Sequence, residues 1–214
     1  MTLDHPDLPL DATPRTLSVW VRSADGQVSG ALDAIANWGT LEASGAAFGL
    51  AIHTSNTWYA YLRNTGFSSL VAVDQNWHLL TLTYDGNAVT VYVDGQKARF
   101  GDRALATQAG PLVLGTGPTS GSSWTFDGTI DDVRIHDRAL GDAEVATLYG
   151  WEKSRTVIDK GYAVRIDSGS PVTDLDFANA DANDWPSLVA GVQQIVSPGS
   201  PGPVYDTSGD WIPI

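Results

Sequence analysis

The segment Trp77–Lys97, WHLLTLTYDGNAVTVYVDGQK, leaves the chain little conformational choice. Leu80, Leu82 and Tyr84 alternate with polar residues, so in an extended strand they share one face. Asp85-Gly86-Asn87 follows, and then Val89, Val91 and Val93 repeat the same period. Asp-Gly and Gly-Asn tolerate positive φ and close tight turns, and Asp94-Gly95 ends the second strand in the same way. The segment is a β-hairpin with one apolar face that needs a second layer to cover it.

The same period recurs along the chain. In RTLSVWVRS (Arg15–Ser23), Leu17, Val19 and Val21 oppose Ser18, Trp20 and Arg22. AAFGLAIHT and TWYAYLRNTG read as a hairpin joined at Ser55-Asn56, and GPLVLGT and WTFDGTIDDVRIHD add two more strands. Helical periodicity is almost absent before residue 140, which indicates an all-β sandwich or barrel. One helix follows the last strand. Gly141 is its N-cap, Asp142 and Glu144 fill the first turn, and Ala143, Val145, Ala146 and Leu148 form a partly apolar stripe.

LSVWVRS, NWGT, FGLAI, WHLLTLTYDGNAVTVYVDGQ, PLVLGT and FDGTIDDVRIHDRALGDAEVATLY occur in this order over residues 15–149. Together they resemble the LamG-like jelly-roll domains of the concanavalin A-like lectin/glucanase superfamily. The resemblance implies a two-sheet antiparallel jelly-roll sandwich closed by one short helix, and the residues beyond it add an extended C-terminal arm. The organisation expected is a jelly-roll domain at 1–150 and a C-terminal extension at 151–214. Domains of this type usually begin with one more strand ahead of the SVWV strand, and here that strand is missing. A sandwich short of an edge strand leaves backbone groups unpaired. GYAVRIDSG, Gly161–Gly169, has the character of a permuted replacement. Residues 184–196 permit a short helix, with Asp184 as N-cap, although Gly191 leaves a β reading of SLVAGVQQIV open. Residues 197–214 are rich in Pro and Gly and read as an extended docking tail anchored by Trp211, Ile212 and Ile214.

A net charge of −13 argues against nucleic acid as a partner and against attraction to an anionic membrane. There is no apolar run long enough for membrane insertion. The chain has no cysteine, and His5, His53, His78 and His136 lack zinc-site spacing. Almost all the acid is Asp; Glu42, Glu144 and Glu152 are the only Glu residues. The strand motif E-x-D-x-x-E of the superfamily's glucanases is absent, as are Ser-His-Asp and P-loop spacings. No catalytic residue is assigned, and the chain reads as non-enzymatic.

Asp131 and Asp132 interrupt a strand, where Asp is disfavoured. By strict alternation Asp131 falls in phase with Val133 and Ile135, and Asp132 with Ile130 and Arg134, so one carboxylate shares the apolar face. A carboxylate there needs a cation or several hydrogen bonds. Related jelly rolls often hold a structural Ca²⁺ near this strand; the resemblance implies Asp131 and Asp132 as ligands, with Asp167 completing the set. The alternative is pairing with an Arg or with backbone amides. Trp58, Tyr59, Tyr61 and Trp124 are candidates for stacking on carbohydrate, against a core role to which alternation assigns about half of them. Trp20, Trp38 and Trp77 are assigned to packing.

The function expected is a non-enzymatic structural or binding protein of a phage virion surface: a head decoration, head fibre or tail component. Such a protein is made in the host cytoplasm, docks on other virion subunits or its own copies through the C-terminal arm, and binds cell-surface glycans. This follows from a Met start without a basic, apolar leader, in a fold used mostly outside cells. The alternative is a carbohydrate-binding or adhesion module of an extracellular bacterial surface protein. A glycoside hydrolase ranks third.

Overall fold

The computed structural model describes residues 1–3, 7–118 and 124–153, apart from the Glu152 side chain, and beyond them the backbone of six short strands. The strands are β1 (Thr2–Leu3), β2 (Arg15–Ser23), β3 (Leu32–Gly39), β4 (Ala47–His53), β5 (Thr57–Tyr61) and β6 (Phe67–Ala72). Then come β7 (His78–Tyr84), β8 (Ala88–Val93), β9 (Gln96–Asp102), β10 (Leu112–Leu114) and β11 (Gly128–His136), before helix α1 (Asp142–Lys153). The later strands are β12 (Tyr162–Asp167), β13 (Thr173–Phe177), β14 (Ser187–Val189), β15 (Val192–Gln194), β16 (Val204–Tyr205) and β17 (Trp211–Ile212).

Two antiparallel sheets form the jelly-roll sandwich. One runs β1-β10-β3-β4-β5-β6; the other runs β11-β2-β7-β8-β9 and is extended past β11 by β12 and β13. The alternation read from sequence sets the core. Leu17, Val19, Val21, Leu80, Leu82, Tyr84, Val89, Val91 and Val93 face inward from one sheet. Trp38, Phe48, Leu50, Ile52, Trp58 and Ala60 meet them from the other. Each large side chain buried this way contributes about 1.5–3 kcal/mol before the cost of ordering it.

The turns follow their residues. Asp85 Oδ1 accepts the Asn87 and Ala88 N–H groups, and Gly86 takes φ 101°. Asp94 (φ 52°) and Gly95 (φ 74°) both adopt the left-handed conformation that a tight hairpin requires. Asp94 also reaches back across the hairpin, its Oδ1 accepting the Leu79 N–H and its Oδ2 lying 2.7 Å from His78 Nδ1. His78 Nε2 meets Asp74 Oδ1 at 3.0 Å. With an acceptor on both nitrogens the imidazolium is favoured. The hydrogen bond to Asp94 raises the His78 pKa above 6.5, against the opposing pull of burial. A pKa raised by folding stabilises fully below the unfolded value and loses that stabilisation as pH rises through the folded value. The melting-temperature gap between the native chain and His78→Gln should therefore be wider near pH ~5.5 than near pH ~8.5. A gap independent of pH would contradict this.

Arg15 opens β2 and is fully buried. Its guanidinium donates to the carbonyls of Thr13, Pro9, Leu10 and Asp11, and lies 5.3 Å and 5.4 Å from the Phe48 and Tyr84 ring centres. Desolvation brings its pKa down to about 10, still well above neutrality. The Trp38 indole N–H donates to the same Pro9 carbonyl. Segment 9–13 is thus held across the end of the sandwich by these side chains together with a single backbone bridge between Asp11 and Thr107.

A β-bulge explains the paired Asp residues of β11. Between Asp131 and Arg134 the register against β2 slips by one residue, and Asp132 takes φ 48°. Asp tolerates this left-handed conformation better than most residues. The slip lets Ile130, Val133 and Ile135 all enter the core, which strict alternation forbids. Neither carboxylate shares the apolar face, contrary to the phase read from sequence. Asp131 Oδ1 accepts the Asp132 N–H, and Asp132 Oδ2 pairs with the buried Arg134 at 2.7 Å.

Helix α1 starts as expected, with Glu144 accepting the Gly141 N–H in the manner of a capping box. Val145 and Leu140 pack with Tyr92 on the outer face of the second sheet, and Asp142 receives Tyr92 Oη and Lys97 Nζ. Among the described residues no helix is long and apolar enough to cross a membrane.

Two expectations need correction. A short strand does precede the SVWV strand, because β1 pairs with β10 at the edge of the first sheet. Residues 184–196 hold no helix across 187–189 and 192–194, which form antiparallel strands with Val189 opposite Val192. The β-branched valines flanking Ala190-Gly191 favour extended backbone over the helical stripe. The strand sought at 161–169 forms as β12, pairing in parallel with β11. The rest of the 197–214 tail lies outside the described residues except for β16 and β17, which pair with each other.

Candidate functional site

Strand β4 alternates bulky and small residues. Phe48, Leu50 and Ile52 point into the core, so Ala47, Gly49 and Ala51 line the opposite, outer face. The register extends this face sideways. Ala34, Ala51, Tyr59 and Ser68 form one cross-strand row, and Asn37, Gly49 and Tyr61 the next. A Cβ at Gly49 would lie 2.4 Å from Asn37 Cβ, so this floor has room only for glycine. A face this low can seat flat rings, and rings sit at both sides of it. Tyr59 stacks on His53, with centroids 4.8 Å apart and planes at 18°. Tyr61 meets Trp124 edge-on at 5.8 Å.

Trp124 is placed by backbone rather than by strand pairing with β10. Its carbonyl accepts the Ala34 N–H, Thr125 bridges Ala34 in parallel, and Phe126 is buried in the core two residues on. The indole then packs against Leu32, Ala34, Ala47, Ala51 and Tyr61 while staying partly exposed. Tyr59 is also partly exposed, its ring lying over Gly66. Tyr61 is buried, and its hydroxyl has no hydrogen-bond partner among the described residues.

Two arginines border the tyrosines. Arg63 Nε donates to the Leu41 carbonyl and Arg103 Nε to the Thr65 carbonyl. Burial raises the Tyr59 pKa, opposed by Arg103. Burial pushes Tyr61 up to about 12, opposed by Arg63 and assisted by Tyr59. Both phenols are therefore neutral near pH ~7, and the partly exposed Tyr59 can donate a hydrogen bond to a ligand. Half-exposed aromatic faces, hydroxyl donors and guanidinium groups suit a polyhydroxylated ring better than an apolar ligand.

A family model described as the concanavalin A-like lectin/glucanases superfamily matches residues 2–146. The chain belongs to that superfamily. No curated protein matches the sequence. Solved structures share the superfamily fold at low identity. The CBM40 of the Ruminococcus gnavus IT-sialidase, bound to alpha2,3 sialyllactose, is 18% identical with a TM-score of 0.55, covering 70% of this chain and 92% of that one. Domain 4 of AbnA, a GH43 extracellular arabinanase of Geobacillus stearothermophilus in complex with arabinotriose, is 18% identical with a TM-score of 0.50, covering 66% and 68%. The native heptameric SAP-like pentraxin of Limulus polyphemus is 14% identical with a TM-score of 0.52, covering 67% and 73%.

Within this superfamily member the stacking candidates divide. Tyr59 and Trp124 lie on the outer face and are partly exposed. Trp58 is fully buried in the core and cannot present its ring, and Tyr61 serves as support beneath Trp124. Trp58 and Tyr59 are neighbours in a strand, so only one of them can face outward. Trp20 and Trp38 pack as expected. At β11 the positive charge beside Asp132 is the Arg134 guanidinium, and among the described residues no three His, Asp or Glu side chains converge as for a metal. Asp167 aligns with His136 along the backbone, and its side chain lies outside the described residues. The same holds for the anchors Trp211, Ile212 and Ile214.

Sequence reasoning missed Arg63, Arg103, His53 and the floor. The floor left a signal in FGLAIHT: alternate positions occupied by Gly49 and Ala51 mark a sheet face that something flat must cover.

Proposed function

We propose that this chain is a non-catalytic glycan-binding module, with its site on the outer face of the six-stranded sheet. Tyr59 and Trp124 carry the reading: two partly exposed rings over a floor of Ala and Gly, with phenol and guanidinium donors alongside. Carbohydrate-binding structures of the same fold support it, and they favour an adhesion or carbohydrate-binding role at a cell surface over docking on a virion. The virion reading rests on the C-terminal tail, whose anchors lie outside the described residues.

The test is affinity for an oligosaccharide panel measured by calorimetry. Tyr59→Ala should weaken the preferred sugar about tenfold or more, since truncating an aromatic anchor costs on the order of 2 kcal/mol. β-type circular dichroism should be unchanged, because Tyr59 is not in the core. Unaltered affinity in Tyr59→Ala would move the site elsewhere on the fold.

A further inference from the structure

The charge around this face runs against the charge of the chain. The net charge is −13, with only 12 Lys and Arg residues. Among the described residues Lys97, Arg134 and Arg138 each pair with a carboxylate. Arg63 and Arg103 do not. Each is fixed through Nε to a backbone carbonyl, Leu41 for Arg63 and Thr65 for Arg103, and Arg103 also donates from Nη1 to the Asp102 carbonyl. Backbone carbonyls orient a guanidinium without neutralising it. The terminal nitrogens of Arg63 have no partner among the described residues, and neither has Nη2 of Arg103. Among the described residues neither Glu42, in the adjoining loop, nor Asp102, the last residue of β9, forms an ion pair with either arginine.

The two arginines share one turn, between Leu62 and Phe67. Arg63 lies in it, and Arg103 is tied to it through Thr65 and stacks over the Phe67 ring at 4.9 Å. That turn runs directly out of Tyr61, and Gly66 within it carries the Tyr59 ring. Two fixed, un-neutralised guanidiniums therefore stand beside the aromatic face. A planar fork of this kind matches a carboxylate or sulfate in two-point contact.

We propose that the face takes an anionic glycan, one bearing carboxylate or sulfate groups, with Arg63 and Arg103 holding the anionic group and Tyr59 and Trp124 stacking on the adjoining sugar. This rests on the glycan-binding reading above. The surrounding negative charge adds selectivity, because it repels polyanions that cannot place their charge at these two arginines.

The experiment measures binding of the full chain to three oligosaccharides of equal length: a galacturonate, a heparin-type sulfated sugar and a neutral galactan. At least one anionic probe should bind about tenfold or more tighter than the neutral one, and high salt should erode that advantage. The double variant Arg63→Gln/Arg103→Gln should bring the anionic probe down to the neutral level, while Tyr59→Ala weakens every probe that binds. Which anionic probe prevails distinguishes carboxylate from sulfate. A neutral probe that binds as tightly, with the double variant unaffected, overturns the anionic proposal and leaves the glycan module standing. Anionic binding that vanishes in the double variant and ignores Tyr59→Ala overturns the sugar-stacking reading, and binding of none of the three overturns both.

Discussion

Arg15→Ala should lower the unfolding free energy by about 4 kcal/mol, among the largest effects of any single substitution in this chain. The guanidinium is fully buried and makes four hydrogen bonds to carbonyls within residues 9–13. Removing it takes one donor from each carbonyl, leaving Pro9 only the Trp38 indole, Leu10 the Thr13 N–H and Asp11 the Thr107 N–H, and it opens a void between Phe48 and Tyr84. Arg15→Lys keeps a charge but cannot reproduce the fork, so it should recover less than half of the loss. Urea titration with an unchanged slope would report the difference as stability alone. A loss of less than ~1 kcal/mol would mean that segment 9–13 is held by its own packing, Leu8 and the Trp38 indole included.

Asp132→Ala should cost about 3 kcal/mol. Asp132 gives a buried Arg134 a carboxylate at 2.7 Å. Part of the Asp132 loss is backbone strain, since Ala at φ 48° pays for a left-handed conformation that Asp or Gly enters more readily. Asp132→Gly should therefore sit between the native chain and Asp132→Ala. Thermal melts of the native chain and the two variants check the order, with a chelator added in parallel. The melting temperature should not respond to the chelator, because the charge beside Asp132 is a guanidinium. A marked drop with chelator would restore calcium to this strand.

These two sites also show where the sequence was legible. The hairpin at Trp77–Lys97 and the strand at Arg15–Ser23 were readable because a one-sided core imposes an unbroken two-residue period, and every inward residue named from that period is in the core. Strands β3, β6 and β11 each carry a register irregularity that breaks the period. At β11 the irregularity misassigned both Asp residues. The break is a backbone event, and only the Asp pair hints at it. Arg15 looked like the polar start of a strand. Its burial depends on carbonyls from a preceding segment with no periodicity to read.

The candidate site was half visible. Tyr59 and Trp124 stood out by residue type, but Trp58 did too, and choosing between adjacent residues needs the strand's phase against its neighbours. Arg63 and Arg103 are 40 positions apart, and Arg103 reaches the turn that carries Arg63 through the Thr65 carbonyl. No local pattern encodes such a pairing.

The most direct test of the glycan face uses the eight indole N–H resonances of the chain. A nitrogen-15 spectrum would be followed while the tightest oligosaccharide of the panel is titrated to saturation. The Trp124 indole signal should shift, while those of Trp38 and Trp58, sealed in the core, should stay in place. Saturable binding that leaves Trp124 unmoved and shifts indoles elsewhere would contradict a site on the outer face of the six-stranded sheet.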